Sequence, residues 1–279
     1  FVTSQVTSEA VYMHAETAIT EYIQRTKELS KYLTHSIQHT DLSREFLDSL
    51  EIDDKYFQDA LQDNMQDFVK EPYRRKLKFM EFRLNESLKI INDFKNESKP
   101  KERHHAYINE QELLKDLYLI RDSLSYDNDE KLINFGLKDL IRLVETFGFF
   151  LVNLDIREES TKHTKAISEI MNILTNEKYS ALNEDERLCS LESLIKSDFK
   201  INTIYEDLSD ETKRVVDVFL TMVKLREQIS DEAFGHYIIS MTHDASHVLE
   251  VLAIAKLTGM IKKDEDKGWV SNIKVSPLF

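Results

Sequence analysis

The sequence predicts a predominantly helical α/β fold with about three parallel strands. Hydrophobic residues make up 41% of the 279 residues and charged residues 32%, which is typical of a folded, helix-rich protein. The 5 glycines and 3 prolines are fewer than the chain breaks of an all-β fold require. Three short apolar runs in the second half of the chain are separated by helical patterns, and this alternation indicates parallel strands. The pattern therefore predicts part of an α/β barrel or an open sheet.

Residues 1–145 predict a mainly helical part, because their apolar residues recur every three or four positions. The longest predicted helix begins at Pro72, which suits a first helical turn, and runs to about Phe94. The charged stretch 96–105 has no apolar periodicity and predicts a loop rather than a domain boundary. Other helices are predicted from Thr7 to about Leu33, within residues 41–69 with a break near Asp53, from Asn109, and from Asp127 or Asn128.

A basic cluster opens the long helix at Arg74, Arg75 and Lys76. Such a cluster can attract an anion, but the usual explanation is a solvated helix face that pairs with acids about one turn away. The acids available here are Glu71 and Glu81. We therefore predict a solvated, ion-paired face at this cluster and no anion site.

Residues 146–279 predict strand–helix units. The run Phe149–Ile156 follows a glycine and is rich in aromatic and β-branched residues, which suits a buried strand. Ser160 and Thr161 are candidate caps for the next helix, so the segment predicts a strand, a loop and a helix. A later helix, after Ser209, is apolar nearly all round and is expected to be deeply buried. Further predicted elements are a helix near Asn183, a strand over Tyr237–Met241, a helix over Val248–Leu257 and a strand over Trp269–Phe279.

A catalytic or ligand-binding site is most strongly indicated at the end of the first apolar run, where Asp155, Arg157 and Glu159 follow one another at alternate positions. In α/β sheets, ligands bind at the carboxyl ends of strands. The guanidinium of Arg157 is a rigid fork of donors matched to phosphate or carboxylate, and the two neighbouring acids can hold it in place. The alternative, from composition alone, is a structural ion-pair cluster at a loop.

The second predicted strand leads into a similar turn, in which Asp244 or Ser246 is the candidate cap of the following helix. The free backbone N–H groups of that helix start can bind an anion. His243 and His247 are four residues apart, which is a metal-ligand spacing on a helix. No glutamate of the His-Glu-x-x-His type lies between them, so we predict no zinc site.

The charge and cysteine content exclude several classes of protein. Lys and Arg total 37 against 51 Asp and Glu, and the net charge of −14 leaves no general basic surface for nucleic acid or an anionic membrane. The single Cys189 excludes an internal disulfide framework, and its helical setting predicts a small packed thiol. No apolar stretch is long enough to cross a bilayer and no signal-like start is present, so we expect a cytoplasmic protein.

Four stretches of the sequence resemble the phosphoenolpyruvate carboxylase family, in the family's order. The most specific is similar to a phenylalanine-glycine turn, an apolar strand, Asp-Ile-Arg-Gln-Glu-Ser and a nearby His-Thr. It is carried here by Phe147-Gly148, Leu151-Val152, Asp155-Ile-Arg-Glu-Glu-Ser160 and His163-Thr164. The other three are Glu71-Pro-Tyr-Arg74, Tyr237-Ile-Ile-Ser-Met-Thr242 leading into Ser246-His-Val-Leu249, and Val275-Ser-Pro-Leu-Phe279.

This resemblance implies a largely helical protein around a β/α barrel of the phosphoenolpyruvate carboxylase type. It implies a carboxy-lyase that joins bicarbonate to phosphoenolpyruvate, through carboxyphosphate and enolpyruvate, to give phosphate and oxaloacetate for the tricarboxylic acid cycle. It also implies Mg²⁺ or Mn²⁺ held by ligands outside this chain, and a homotetramer. Arg157 matches the family arginine near the phosphate and is the expected catalytic residue. The expected substrate-binding or supporting residues are Asp155, Glu159, Ser160, His163 and His243, with no metal ligand among them.

The ends of the sequence lead us to expect an excised or incomplete piece, because it begins at Phe1 without methionine and stops at Phe279 while still resembling a strand. In the resembled family, a glutamate that helps to bind the metal follows this point, so the piece alone is expected to be inactive. The alternative is a catalytically inactive helical scaffold that keeps the family fold for protein interaction. Ser246-His247 in place of the family's Ser-Asp, and Glu158 in place of its glutamine, give that alternative its weight.

Overall fold

The computed structural model describes residues 4–57, 68–98, 105–264 and 266–279. The chain divides into two compact units. The helical unit consists of residues 10–152 and 228–230, and the sheet unit consists of the described residues up to Glu9 together with residues 153–227 and 231–279. Most of the predicted loop 96–105 and part of the predicted helical region 41–69 lie outside the described residues.

The helical unit contains most of the helices that apolar periodicity predicted. They are α1 (Ser4–Tyr32, whose first turns belong to the sheet unit), α2 (Arg44–Phe57), α3 (Pro72–Lys95), α4 (Glu110–Tyr126), the short α5 (Glu130–Leu132) and α6 (Lys138–Phe147). The predicted break near Asp53 was wrong, because α2 runs through it. The single helix predicted from Asp127 or Asn128 is instead divided into α5 and α6 by a kink at Phe135 and Gly136. The predicted span of α3 is confirmed to within one residue at its end.

Local signals set the boundaries of these helices. Pro72 occupies the first turn of α3, where its missing N–H would have no partner in any case. Asn109 caps α4, since its side chain accepts a hydrogen bond from the Glu112 N–H at 3.1 Å. Asp127 was wrongly predicted to start a helix, because it ends α4 and its N–H bonds the Ser123 carbonyl.

The first predicted strand begins later than the sequence indicated. The helical unit ends in a turn at Gly148, whose φ of 46° is in the left-handed region and whose added Cβ would lie 2.5 Å from the Phe150 ring. Tyr22 donates its hydroxyl to the Gly148 carbonyl at 2.7 Å, and Phe149 is buried near the Tyr22 ring. The aromatic run Phe149–Phe150 therefore belongs to helix packing and a turn, and the strand starts at Leu154.

The sheet unit alternates strands and helices. In order it contains β1 (Leu154–Glu159), α7 (Ser160–Thr175), α8 (Glu184–Lys196), α9 (Asp210–Gln228), β2 (Phe234–Ser240), α10 (Ser246–Leu257), β3 (Ile261–Asp264), β4 (Gly268–Ser271) and β5 (Lys274–Leu278). Short 3₁₀ turns lie at Tyr179–Ala181, Ile201–Thr203, Tyr205–Asp207 and Asp231–Ala233.

Three parallel strands form one sheet in the order β1-β2-β5, as predicted. The described strands make an open sheet, which is compatible with part of an α/β fold. The predicted third strand was wrong as a single element, because β4 instead pairs antiparallel with β3 in a separate hairpin. The chain bends between β4 and β5, where the Asn272 N–H bonds the Met260 carbonyl.

Helices cover one face of this sheet. Tyr237 and Ile239 of β2 are buried, and the Tyr237 ring stacks on Phe219 of α9 with centroids 4.9 Å apart. α9 buries one stripe and exposes Arg214 and Lys224, so the expectation that it would be buried nearly all round was wrong. In the part of the chain that the structure describes, no helix is long and apolar enough to cross a membrane.

Candidate functional site

The candidate site is the open face of the three-stranded sheet, opposite the face that carries Tyr237. Side chains alternate along a strand, so Ile238, the residue after Tyr237, points to this open face. Arg157 of β1 and Ser276 of β5 are the register partners of Ile238, and these three residues form one row. The row nearer the carboxyl ends contains Glu159, Ser240 and Leu278.

Arg157 is an exposed cation at the open face. Within residues 4–57, 68–98, 105–264 and 266–279, it forms no hydrogen bond or ion pair. The guanidinium therefore keeps all five of its N–H donors available. An arginine in this state is suited to bind an oxyanion from solution through two parallel hydrogen bonds.

The acids beside Arg157 are engaged elsewhere. Asp155 accepts the His236 backbone N–H at 2.7 Å, and Glu159 accepts the Thr161 hydroxyl at 2.9 Å. Glu158 forms an ion pair with Lys162 at 2.7 Å. The prediction that Asp155 and Glu159 hold the guanidinium is therefore not what the structure shows, and neither is the alternative of an ion-pair cluster around Arg157.

β1 leads directly into α7 without the predicted loop. Glu159 occupies the cap position of α7, and no side chain caps this helix. Ser160 is already its first residue and donates its buried hydroxyl to the Met241 carbonyl at 2.7 Å. The predicted capping role of Ser160 was wrong, because its hydroxyl instead ties the end of β1 to the turn after β2.

His163 lies on the covered face of the sheet, away from Arg157. Its ring is completely buried, and Nε2 is 2.8 Å from the Tyr237 hydroxyl. Burial, followed by the nearby His247 and Lys162, lowers the pKa of His163 to about 3, so the imidazole is neutral at pH 7. This geometry gives His163 a packing role in the described structure.

The start of α10 is not a free anion site, contrary to the sequence prediction. Glu184 of α8 occupies it, accepting the Ser246 N–H at 2.8 Å and the Ser246 hydroxyl at 2.7 Å. Ala245 rather than Asp244 or Ser246 is the residue before the helix. A carboxylate at this position stabilises the positive end of the helix dipole.

His243 is exposed in the turn after β2, and its backbone N–H is 3.3 Å from Nδ1 of His247. The two rings are 6.4 Å apart between centroids. In the described part of the chain, no group of three His, Cys, Asp or Glu side chains is placed to hold a metal ion. His243 therefore lies near the carboxyl end of β2, but in the described structure it is not part of a group of side chains that could hold a metal ion.

Comparison with known proteins agrees with the motif that contains Arg157. The sequence model of the family described as phosphoenolpyruvate carboxylase matches residues 1–279. The chain belongs to this family. The phosphoenolpyruvate carboxylase of Roseiflexus castenholzii is 32% identical over 284 residues, which cover 100% of this chain and 30% of the relative. That of a Synechocystis species is 32% identical over 289 residues, covering 100% of this chain and 27% of the relative. The chain thus spans less than a third of the length of these curated relatives.

Two buried polar clusters in this family member were not anticipated from the sequence. In the sheet unit, Glu250 of α10 is fully buried and accepts hydroxyl hydrogen bonds from Thr164 at 2.8 Å and Tyr179 at 2.9 Å. Burial raises the pKa of Glu250 to about 7. The only sequence signal that marked Glu250 is that it is the one acid of the strongly apolar helix α10.

In the helical unit, Lys76 is buried rather than solvated, so the prediction for its part of the basic cluster was wrong. Its amine lies 2.6 Å from Asp53 and 2.7 Å from Asp116. Arg74 does pair with Glu71, as predicted, at 2.8 Å. No local sequence signal marks Lys76, because its partners are on other helices.

Cys189, by contrast, was predicted to be a packed thiol and is exposed on α8. The buried stripe of α8 is formed instead by Leu191 and Leu194.

Proposed function

We propose that the full-length protein that contains this chain joins bicarbonate to phosphoenolpyruvate and releases oxaloacetate and phosphate. Support comes from the family match over the whole chain and from relatives that are named for this activity. We propose in addition that Arg157 binds the phosphate group of the substrate. Its match to the Asp-Ile-Arg motif and its free guanidinium support this role.

The observation that carries the proposal is that Arg157 pairs with none of the residues that the structure describes. The chain has an excess of 14 negative charges, and acids both precede and follow this arginine in sequence. Those acids bond a backbone N–H, a hydroxyl and a lysine instead. An arginine left free among acids is ready for a ligand, since charge-assisted bonds to an oxyanion are about twice as strong as neutral ones.

The described residues do not supply a metal site. Asp155 and Glu159 are the carboxylates closest to Arg157 in sequence, and both accept hydrogen bonds from the protein. No three-ligand group occurs within the described ranges. We therefore propose that the ligands of the Mg²⁺ or Mn²⁺ used by the family come from other parts of the full-length protein. A homotetramer in the cytoplasm remains the expectation that follows from the resemblance.

The test is Arg157→Lys in the full-length protein, assayed for oxaloacetate formation at saturating phosphoenolpyruvate. Lysine keeps the charge but cannot form a planar two-point clamp, so we expect kcat to fall by on the order of 10²-fold or more. Arg214→Lys is the matched control, because Arg214 is also exposed in the sheet unit and lies on α9. We expect the control to keep the wild-type kcat.

If the Arg157→Lys variant has an unchanged kcat and a lowered melting temperature, then Arg157 has a structural role and takes no part in the reaction. A folded full-length wild type with no metal-dependent turnover would instead favour the inactive scaffold.

A further inference from the structure

Asp155 and Gly235 form a contact at an irregularity in the pairing of β1 with β2. Leu154 pairs with Phe234 and Ile156 pairs with Tyr237, so two steps along β1 correspond to three steps along β2. The extra residue lies on β2, at Gly235–His236, and forms a β-bulge there. On β1 this bulge stands opposite Asp155, two residues before Arg157.

A specific hydrogen bond closes this bulge. Oδ1 of Asp155 accepts the His236 backbone N–H at 2.7 Å, which is a charge-assisted bond. Without this bond, the N–H displaced by the bulge would have no partner in the β1–β2 ladder.

Gly235 makes room for the carboxylate. A Cβ built on Gly235 would lie 2.5 Å from Oδ1 of Asp155, closer than real Cβ contacts allow. The φ of Gly235 is not in the left-handed region, so its missing side chain, rather than a special backbone conformation, explains the glycine.

The consequence for Arg157 follows from strand geometry. Strand side chains alternate between faces, and a slip of one residue moves every side chain to the opposite face. Arg157 pairs with Ile238 and therefore points away from the helix-covered face that contains Tyr237. The bulge on β2, held by Asp155 two residues before Arg157, fixes the register that places the guanidinium beside Ile238 on the open face.

We infer that Asp155 is a positioning residue for Arg157, and that it acts by accepting the His236 N–H across the bulge rather than by pairing with the guanidinium. The link to phosphate rests on the proposed function. The hydrogen bond between Asp155 and the His236 N–H does not depend on that function. An experiment can therefore reject the phosphate role of Arg157 and still confirm the positioning role of Asp155, or the reverse.

Removal of the Asp155 carboxylate has two possible effects on phosphate affinity, and they are opposite in sign. If Asp155 influences Arg157 only through its charge, then removing the carboxylate makes the site more positive and strengthens phosphate binding. If Asp155 acts through the His236 N–H, then Asp155→Ala weakens phosphate binding. Asn keeps an acceptor oxygen and removes the charge, so Asp155→Asn separates the two effects.

The experiment uses the 279-residue chain, with NMR detection of the Arg157 Nε–H signal during titration with inorganic phosphate. Hydrogen exchange of the His236 amide is measured in parallel. For Asp155→Ala we expect roughly three- to tenfold weaker phosphate binding, the range of one hydrogen bond, together with faster exchange. Asp155→Asn should restore both to near wild type.

Gly235→Ala is the second variant, and it keeps the carboxylate while its methyl group displaces it from the His236 N–H. It should reproduce both effects of Asp155→Ala. Arg157→Ala removes the Nε–H that reports phosphate, so it is the control for the bulge alone, and it should leave the His236 exchange rate unchanged.

Wild-type behaviour of Gly235→Ala, or tighter phosphate binding by Asp155→Ala, overturns the inference. A wild-type chain whose Arg157 signal ignores phosphate counts against the proposed function. In that case the exchange rates of the variants still decide whether Asp155 holds the bulge.

Discussion

At the scale of single residues, Glu250 gives the sheet unit a dependence on pH. Its carboxyl group is fully buried, and its pKa is raised from 4.5 to about 7, chiefly by burial. Below pH 4.5 the group is protonated in both the folded and the unfolded chain. Between pH 4.5 and 7 the unfolded chain ionises first, so the stability of the folded state falls as pH rises. Above pH 7 the full penalty, about 3 kcal/mol, is present.

We predict that Glu250→Gln removes this dependence, because the amide has nearly the same shape and does not ionise. The variant should resemble the wild type near pH 4.5 and exceed its free energy of unfolding by up to about 3 kcal/mol at pH 8. Urea unfolding at several pH values measures the difference.

Glu227→Gln is the control for Glu250→Gln, since Glu227 is exposed on α9. Parallel pH profiles of the Glu250→Gln variant and the wild type would show that Glu250 does not titrate in this range.

At the scale of elements, Lys76 joins three helices of the helical unit. Its amine on α3 contacts Ser49 and Asp53 of α2 and Asp116 of α4, all within 2.7 Å. Tyr107 and Arg83 complete the cluster through hydrogen bonds to Asp116. Opposite charges in close contact offset the loss of solvation only while every partner is present.

We therefore predict that Lys76→Met lowers the free energy of unfolding by about 3–5 kcal/mol, because it leaves the Asp53 carboxylate without its cation and the buried Asp116 with only the longer contact to Arg83. Lys89→Met is a matched control on the same helix, where Lys89 is exposed and pairs with Glu86. The control should cost no more than about 1 kcal/mol. Denaturant unfolding curves of both variants measure the two losses in free energy of unfolding. Equal losses would mean that the buried cluster stabilises the fold no more than a surface ion pair does.

At the scale of the whole molecule, the net charge of −14 opposes the compact state through self-repulsion. Salt screens this repulsion, so we predict that raising NaCl from about 0.02 to 0.5 M at pH 8 increases Tm. A gain of about 1 kcal/mol corresponds to roughly 2–4 °C for a chain of this size. The gain should disappear near pH 5.2, the isoelectric point. An equal gain at both pH values would point to a salt effect other than screening.

Features that depend on residues a few positions apart could be predicted from the amino-acid sequence. Asn183 and Glu186 form a complete capping box at the start of α8, and Asn109 caps α4 through Glu112. The alternation of the three parallel strands with helices, and the motif that contains Arg157, were also predictable, whereas the β3–β4 hairpin was not. Capping hydrogen bonds join residues within one helical turn, and a sequence motif consists of residues that are close together in the chain.

Contacts between side chains that are distant in sequence became visible only in the folded structure. Glu184 reaches Ser246 across 62 residues and fills the helix start that the sequence offered to an anion. His163 and Arg157 are six residues apart, yet His163 on α7 packs against Tyr237 on the covered face, while Arg157 pairs with Ile238 and lies on the open face. Periodicity predicts that a residue is on a face, but the packing partner of that face determines whether the residue is covered or open. Burial, ion pairing and pKa depend on that partner, which lies far away in sequence.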